Sequence, residues 1–322
     1  MKIGMVGLGR MGANMTLRLM QRGHEMVAWD RNTDAVEGVR SEGAEGVSSL
    51  EDLVHALKPP RAVWITLPSG DPTELTIKTL AGLLENGDTI IDGGNSNFRL
   101  AMEDAEMLRE HGIAFVDAGV SGGVWGLKEG YCLMVGGEEE AVQRLEPIFT
   151  ALAPEEGWAH VGPVGAGHFV KMVHNGIEYG MLEAYAEGFA LMHAAEEFKL
   201  DLHQIAEVWR HGSVVRSWLL DLTELALANE QEFGKVKGFV EDSGEGRWTV
   251  DEAVRRAVPT PVLAVSLFQR FASRHPDSFA DKIVAALRNQ FGGHKFFEES
   301  AGANANADQR TEDAAGEPAA KS

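Results

Sequence analysis

Four polar residues, of which Lys171, His174 and Glu178 can transfer protons, lie close together in one stretch of the sequence; the fourth is Asn175. Residues three and four apart are neighbours on a helix, so this spacing places all four on one helical face, here called the polar stripe. Apolar residues flank the stripe on both sides, which predicts that it crosses a buried helix. Because buried charges cost free energy unless they are paired or needed, the pattern predicts an acid–base site. A Lys–Glu pair that bridges to another helix is the alternative.

A glycine-rich loop near the N-terminus has the spacing G-x-G-x-x-G and consists of Gly7, Leu8, Gly9, Arg10, Met11 and Gly12. It follows an expected strand and opens an expected helix, where free N–H groups and the helix dipole favour a pyrophosphate. The second expected strand ends at Asp30, and an acidic residue there binds ribose hydroxyls and repels a 2′-phosphate. The loop therefore predicts a dinucleotide site that prefers NAD to NADP, while Arg31 could still pair with a 2′-phosphate.

The composition excludes several classes of partner. The chain has 322 residues, 44% of them hydrophobic, and a formal net charge of −20. Nucleic acids and anionic membranes both require a basic surface, and no apolar run is long enough to span a bilayer. The single cysteine, Cys132, lies in an apolar run, which predicts a buried thiol in a reducing compartment. We therefore expect a cytoplasmic protein with no nucleic-acid partner and no membrane partner. The sequence shows no H-x-x-x-H motif, no paired cysteines and no carboxylate-rich loop, so no metal site is expected.

The pattern of apolar runs divides the chain into three parts. Short apolar runs alternate with amphipathic stretches over residues 1–163, which predicts an α/β Rossmann-type domain. Residues 164–298 show only helical periodicity and predict an all-α domain, with one long buried helix over His168–Glu197. Residues 299–322 lack large apolar side chains and are expected to form a disordered tail.

The stretch GAGHFVKMVHNGIEYG, which holds the polar stripe, resembles the signature of 6-phosphogluconate dehydrogenases, and the likeness extends over most of residues 1–297. The resemblance implies oxidation of 6-phosphogluconate, a phosphorylated sugar acid, followed by decarboxylation to ribulose 5-phosphate without a metal. Lys171 would be the general base and Glu178 the general acid. Related 3-hydroxyisobutyrate-type dehydrogenases share the glycine-rich loop and the Lys/Asn pair, but typically lack the counterparts of His174, Glu178 and Tyr179.

The same resemblance implies a set of substrate ligands. Asn95, beside the cofactor, and the turn Ser121, Gly122 and Gly123 would hold the carboxylate and hydroxyls, and His174 and Asn175 would lie near the reacting carbons. Tyr179 and Arg270 would bind the phosphate. Arg288 and His294 would reach the phosphate site of a neighbouring subunit, so a homodimer or homotetramer is expected.

Two departures from the family pattern keep other functions open. Long members of the family carry a lysine and a threonine for phosphate binding where this chain has Ser243 and Glu245. A β-hydroxyacid dehydrogenase of the 3-hydroxyisobutyrate type is therefore the alternative enzyme. A catalytically silent dinucleotide sensor is a third possibility, although such a protein has no need of Lys171 and Glu178.

Overall fold

The computed structural model describes residues 1–292 and Lys295. One sheet organises the first half of the chain and contains eight strands: β1 (Lys2–Val6), β2 (Glu25–Trp29), β3 (Glu45–Gly46), β4 (Ala62–Ile65), β5 (Thr89–Asp92), β6 (Ala114–Ser121), β7 (Cys132–Gly137) and β8 (Trp158–Gly162). Their order across the sheet is β3-β2-β1-β4-β5-β6-β7-β8. Pairing is parallel except between β6 and β7, which are antiparallel.

Helices connect the strands and then continue alone. They are α1 (Arg10–Gln21), α2 (Thr33–Ser41), α3 (Leu50–Ala56), α4 (Asp71–Ala81), α5 (Phe98–Arg109), α6 (Gly126–Glu129), α7 (Glu139–Leu152), α8 (Ala166–Ala194), α9 (Leu202–Arg210), α10 (Trp218–Leu227), α11 (Glu230–Phe233), α12 (Glu245–Arg255), α13 (Pro261–Ser273) and α14 (Phe279–Gly292). After β8 the described residues contain no further strand. The predicted fold class, a Rossmann-type domain followed by an all-α domain, is confirmed.

Successive side chains of each strand point to opposite faces of the sheet, and helices cover both faces. Ile3 and Met5 belong to a core on one face, together with residues of α1 and α7. Val6 belongs to a second core on the other face, with residues of α3, α4 and α5. This arrangement brings the carboxyl ends of β1, β4, β5 and β6 to one edge, where ligands bind in open parallel sheets.

Helix α8 carries the polar stripe across the molecule, and it is only partly buried. Lys171 and Asn175 are buried, but Val170, Ile177 and Met181 are exposed. The predicted burial of the whole helix is therefore wrong. The apolar residues beside the stripe line an open cavity instead of packing against neighbours.

The chain groups into two compact units, Met1–Arg270 and a second that begins at Phe271. The first holds the sheet and α1 to α12, and the second holds α14. The boundary at residues 163/164 stays a prediction, and the tail 299–322 lies outside the described residues. None of the helices in the described part of the chain is long and apolar enough to cross a membrane.

Candidate active site

The glycine-rich loop has the backbone that a dinucleotide site requires. Gly7 has φ +94°, and a Cβ there would lie 2.3 Å from the carbonyl oxygen of Thr66. A Cβ on Gly12 would lie 2.0 Å from the carbonyl oxygen of Gly7, so only glycine lets α1 pack this closely. Gly9 precedes α1 with open space above it and no side-chain cap. The first N–H groups of α1 are thus left for an anion, and the loop fits a cofactor pyrophosphate.

Asp30 connects the end of β2 to this loop. Its Oδ2 accepts a hydrogen bond from the Leu8 N–H at 2.6 Å, and its Oδ1 accepts one from the Asn32 N–H at 2.7 Å. Leu8 itself is buried in the core, and Arg10 and Arg31 are exposed. Two backbone N–H groups therefore hold the carboxylate in one orientation at the edge of the loop.

A cavity of about 1110 Å³ lies between the loop edge of the sheet and α8. It brings together nine of the predicted site residues: Met11, Asn95, Ser121, Gly122, Gly123, Lys171, His174, Asn175 and Glu178. Thr66, Leu67, Trp125 and Trp218, which the sequence did not single out, complete much of its wall. The cavity therefore joins residues predicted for the cofactor to residues predicted for the substrate.

Within the cavity, hydrogen bonds link three residues of the polar stripe, Lys171, His174 and Asn175. The Lys171 Nζ donates to Asn175 Oδ1 at 2.7 Å, and His174 Nδ1 lies 3.1 Å from the same oxygen. His174 Nε2 lies 3.5 Å from Ser121 Oγ. A neutral His174 that donates through Nδ1 leaves Nε2 to accept from the Ser121 hydroxyl. The imidazole of His174 thus lies between Asn175 and the Ser121 turn.

The amine of Lys171 titrates below its usual range. Burial lowers the pKa of Lys171, because the ammonium loses its hydration, while electrostatic interactions with Glu178, Glu245 and Cys132 act in the opposite direction. Burial is the stronger influence. A lysine that loses its proton more readily than usual can act as a base, as the stripe predicted.

The turn after β6 has a backbone that glycine adopts readily. Gly122 has φ +133° and Gly123 has φ +53°, and both residues line the cavity. Cys132 pairs with Ser121 across β6 and β7 and is exposed. The predicted burial of its thiol is wrong, because the first residue of β7 lies beside a second opening, of about 620 Å³, next to the turn.

A distal cluster of Tyr179, Arg270, Ser243 and Glu245 lies where the N-terminus of α12 packs on α8. The Arg270 guanidinium lies 3.4 Å from the centre of the Tyr179 ring, and the Ser243 N–H donates to the Tyr179 hydroxyl at 3.4 Å. Glu245 is 2% exposed and accepts from Ser243 Oγ at 2.6 Å. Its Oε1 has no hydrogen-bond partner within the described residues.

Two further phosphate ligands, Arg288 and His294, were predicted near the end of the sequence. Arg288 is an exposed residue of α14, in the second unit. His294 lies outside the described residues. Among the residues that are described, no group of three or more His, Cys, Asp and Glu could hold a metal ion.

Three buried ionisable residues near the site were missed from sequence: Asp92, Asp117 and His168. His168 Nε2 lies 3.1 Å from Asp92 Oδ2, and Asp117 accepts from the Gly165 and His168 N–H groups. A usable signal was present, because Asp92 and Asp117 lie in apolar strands, where a carboxylate requires a partner.

The two parts of the chain match two domains of one family. Residues 2–162 match the NAD binding domain of 6-phosphogluconate dehydrogenase, and residues 167–299 match the 6-phosphogluconate dehydrogenase C-terminal domain. The chain belongs to the 6-phosphogluconate dehydrogenase family. The resemblance seen in the sequence is thereby confirmed.

Two members of the family match this chain along most of the length of both proteins. The Bacillus subtilis protein YqeC is 44% identical over 294 residues, which cover 91% of this chain and 98% of that protein. The NAD(+)-dependent, decarboxylating 6-phosphogluconate dehydrogenase of Haloferax volcanii is 41% identical over 297 residues, 92% of this chain and 98% of that enzyme. The chain is thus a short-form homologue of an NAD(+)-dependent, decarboxylating enzyme.

Solved structures share the fold. The 6-phosphogluconate dehydrogenase of Plasmodium falciparum superimposes with a TM-score of 0.80 at 26% identity, over 96% of this chain and 68% of that one. A 3-hydroxyisobutyrate dehydrogenase of Mycobacterium tuberculosis superimposes with a TM-score of 0.69 at 24% identity, over 89% and 99% of the two chains. The second likeness is one of fold alone.

Proposed function

We propose that this protein oxidises 6-phosphogluconate and decarboxylates the product to ribulose 5-phosphate and CO2, with NAD as the hydride acceptor. The observation that carries the proposal is the buried amine of Lys171, hydrogen-bonded to Asn175 in a cavity that also contains the Ser121 turn and Glu178. The 41% identity to an NAD(+)-dependent, decarboxylating relative supports the same reaction.

Lys171 acts first as the general base. Its unprotonated amine takes the proton of the substrate's C3 hydroxyl, and NAD, when bound, would supply the acceptor for the hydride on C3. The bond to Asn175 Oδ1 restricts the amine to one position, which lowers the entropic cost of reaching the hydroxyl. The lowered pKa of Lys171 makes the unprotonated form available at lower pH than for a lysine in water.

The same lysine then serves the decarboxylation. The oxidised intermediate is a β-keto acid, and the ammonium of Lys171 stabilises negative charge on the C3 oxygen as the C1–C2 bond breaks and CO2 leaves. The electron pair of that bond forms the C2=C3 double bond of an enediol, whose C3 oxygen takes a proton from Lys171. Glu178 then protonates the carbon that becomes C1 of ribulose 5-phosphate, and Lys171 takes its proton back as the ketone forms. Its half-buried position in the cavity wall keeps this carboxyl within the same space as Lys171.

The remaining cavity residues position the substrate. Ser121, with the N–H groups of Gly122 and Gly123, holds the carboxylate, and Asn95 and His174 bind hydroxyls along the carbon chain. At the other end, Tyr179 and Arg270 bind the phosphate, with Arg288 and His294 supplied by a second subunit. Glu245 cannot bind a phosphate, so recognition of that group depends on these cations.

NAD would be held by the glycine-rich loop, through the open backbone at Gly9 and the N-terminus of α1. Asp30 would accept hydrogen bonds from the ribose hydroxyls, and its charge would repel a 2′-phosphate. The fixed orientation of Asp30 by Leu8 and Asn32 supports this preference.

The test is turnover of the purified protein with 6-phosphogluconate, gluconate and 3-hydroxyisobutyrate. We expect NADH and CO2 in equal amounts from 6-phosphogluconate, and neither from Lys171→Met. The buried Glu245 in the distal cluster keeps the unphosphorylated acid as a second candidate. NADH without CO2, or faster turnover of 3-hydroxyisobutyrate than of 6-phosphogluconate, would contradict the proposal and assign the alternative.

A further inference from the structure

A buried polar connection joins the end of β5 to the first turn of α8. Asp92, the last residue of β5, and His168 are both at most 2% exposed, and their side chains meet at 3.1 Å. The other oxygen of Asp92, Oδ1, accepts from the Gly94 N–H at 2.9 Å. Gly94 is the neighbour of Asn95, so the pair connects the Asn95 turn to the helix that holds Lys171.

A second carboxylate fixes the same turn of α8 from the next strand. Asp117 of β6 is fully buried, and its two oxygens accept from the Gly165 and His168 N–H groups, both at 2.7 Å. These N–H groups have no partner within the helix, so Asp117 caps it from outside. The start of α8 is therefore held at two points, one on each of two neighbouring strands.

The helix also lies unusually close to the sheet at this point. A Cβ on Gly119 would lie 2.5 Å from the Cβ of Lys171, and one on Gly167 would lie 2.3 Å from the carbonyl oxygen of Asp117. Close packing leaves the turn no room to shift without a clash. The side chain of Lys171 therefore starts from a position that Asp92, Asp117 and the two glycines determine.

The pair is held in its ionised form. Burial disfavours the imidazolium, but the charges of Asp92 and Asp117 together raise the pKa of His168. Burial likewise disfavours the carboxylate, yet His168, Ser96 and Gly94 lower the pKa of Asp92. Apolar residues of similar volume often stabilise a core as well as a buried ion pair does. What the ion pair adds is a fixed geometry between two elements.

We propose that Asp92 and His168 are positioning residues, which set the place of the Lys171 amine relative to the Asn95 turn. The inference depends on the proposed role of Lys171 as the base. Neither residue is assigned any contact with substrate or cofactor, and both act through the backbone of α8 and of the turn after β5. Their loss should therefore slow the chemical step more than it weakens binding.

Two substitutions of His168 test this, because they differ in one property. His168→Gln keeps a neutral donor near Nε2, whereas His168→Leu leaves Asp92 with no partner on the helix. We expect kcat to fall by about tenfold or more in His168→Leu and by less in His168→Gln, since small misplacements of a catalytic group are costly. KM should change little. The deuterium isotope effect with substrate labelled at C3 should rise, because hydride transfer then limits the rate.

The matched control changes a second buried ion pair, which lies at the opposite end of β5 from Asp92. Arg61 pairs with the fully buried Asp88 at 2.9 Å, just before β5. Arg61→Gln should lower the melting temperature, as loss of a buried ion pair does, but leave kcat per folded molecule and the isotope effect unchanged. A loss of kcat in Arg61→Gln equal to that in His168→Leu would overturn the proposal, since the effect would then be general destabilisation.

If His168→Leu does not fold, Asp92→Asn replaces it, with the same expectation. Full kcat and an unchanged isotope effect in the folded variants would show that the pair has no positioning role. An NMR titration of isotope-labelled lysine gives a readout without substrate: the pKa of Lys171 should move in the His168 variants and stay fixed in Arg61→Gln. Absence of wild-type turnover with 6-phosphogluconate refutes the proposed function, whereas an unmoved Lys171 pKa refutes the positioning role.

Discussion

The pKa of Lys171 results from two opposing influences, burial of its amine and the charges of neighbouring side chains. Burial favours the neutral amine, while Glu178 and Glu245 favour the ammonium. The site needs both forms, because Lys171 must accept a proton in the oxidation and stabilise an oxygen in the decarboxylation. The two carboxylates thus keep the pKa of a buried lysine from falling too far for the second role.

Replacing Glu245 tests this balance. The rate constant kcat/KM should rise with pH as Lys171 loses its proton, and level off above its pKa. Because Glu245 raises that pKa, Glu245→Gln should move the rising limb to lower pH. Glu252→Gln is the control, since Glu252 is buried on the same helix but pairs with Arg99 and Arg256. A limb that stays in place in Glu245→Gln, or moves equally in both variants, would remove Glu245 from this role.

Asp30 makes a separate prediction about the cofactor. Removal of its charge in Asp30→Ala should narrow the preference of kcat/KM for NAD over NADP by about tenfold, because the repulsion of a 2′-phosphate is lost. Arg31, exposed beside it, is the natural comparison. Arg31→Ala should widen the preference if that side chain attracts the phosphate. An unchanged ratio in Asp30→Ala would assign cofactor choice to Arg31 or to the loop backbone.

At the scale of single elements, periodicity predicted most of what positions the site. The strand expected before the glycine-rich loop and the second strand, expected to end at Asp30, are present as β1 and β2. The long helix of the polar stripe is confirmed as α8, although it ends at Ala194 and not at Glu197. Strands β3 and β8 were not predicted. The first has two residues, and the second is an edge strand whose middle residues are exposed, so neither shows an alternating apolar pattern.

Contacts between distant elements were beyond the reach of the sequence pattern. The residues of the Asp92–His168 bond are 76 positions apart, and those of the Asp117–His168 bond are 51 apart. Each residue type signals that a partner is needed, but the partner follows only from which strands become neighbours in the sheet. The predicted burial of the whole of α8 was wrong for a similar reason. The spacing of Val170 and Ile177 in the sequence is the same whether these side chains pack in a core or line a cavity.

At the scale of the whole molecule, an anionic substrate must enter a chain with a net charge of −20. Lys171 and Arg270 supply positive charge at the two ends of the proposed site, but Glu178 and Glu245 lie beside them. Large apolar side chains are exposed on the helices, among them Leu191, Val208 and Leu225. Apolar surface of this kind marks association sites, and a second subunit would both cover it and add Arg288 to the phosphate site.

Mixing two inactive variants tests whether Arg288 acts across the interface. In a symmetric dimer of one Lys171→Met chain and one Arg288→Ala chain, one of the two sites would contain both native residues. When the two chains assemble at random, about half of the dimers contain one chain of each variant. About a quarter of all sites are then native, so the mixture should show about a quarter of the wild-type activity at low substrate concentration. Lys171→Met mixed with Glu178→Ala is the control, because both residues belong to one chain's site and no native site can form. No recovery in the first mixture would place Arg288 within its own chain's site, and full activity of Arg288→Ala alone would place it outside the active site.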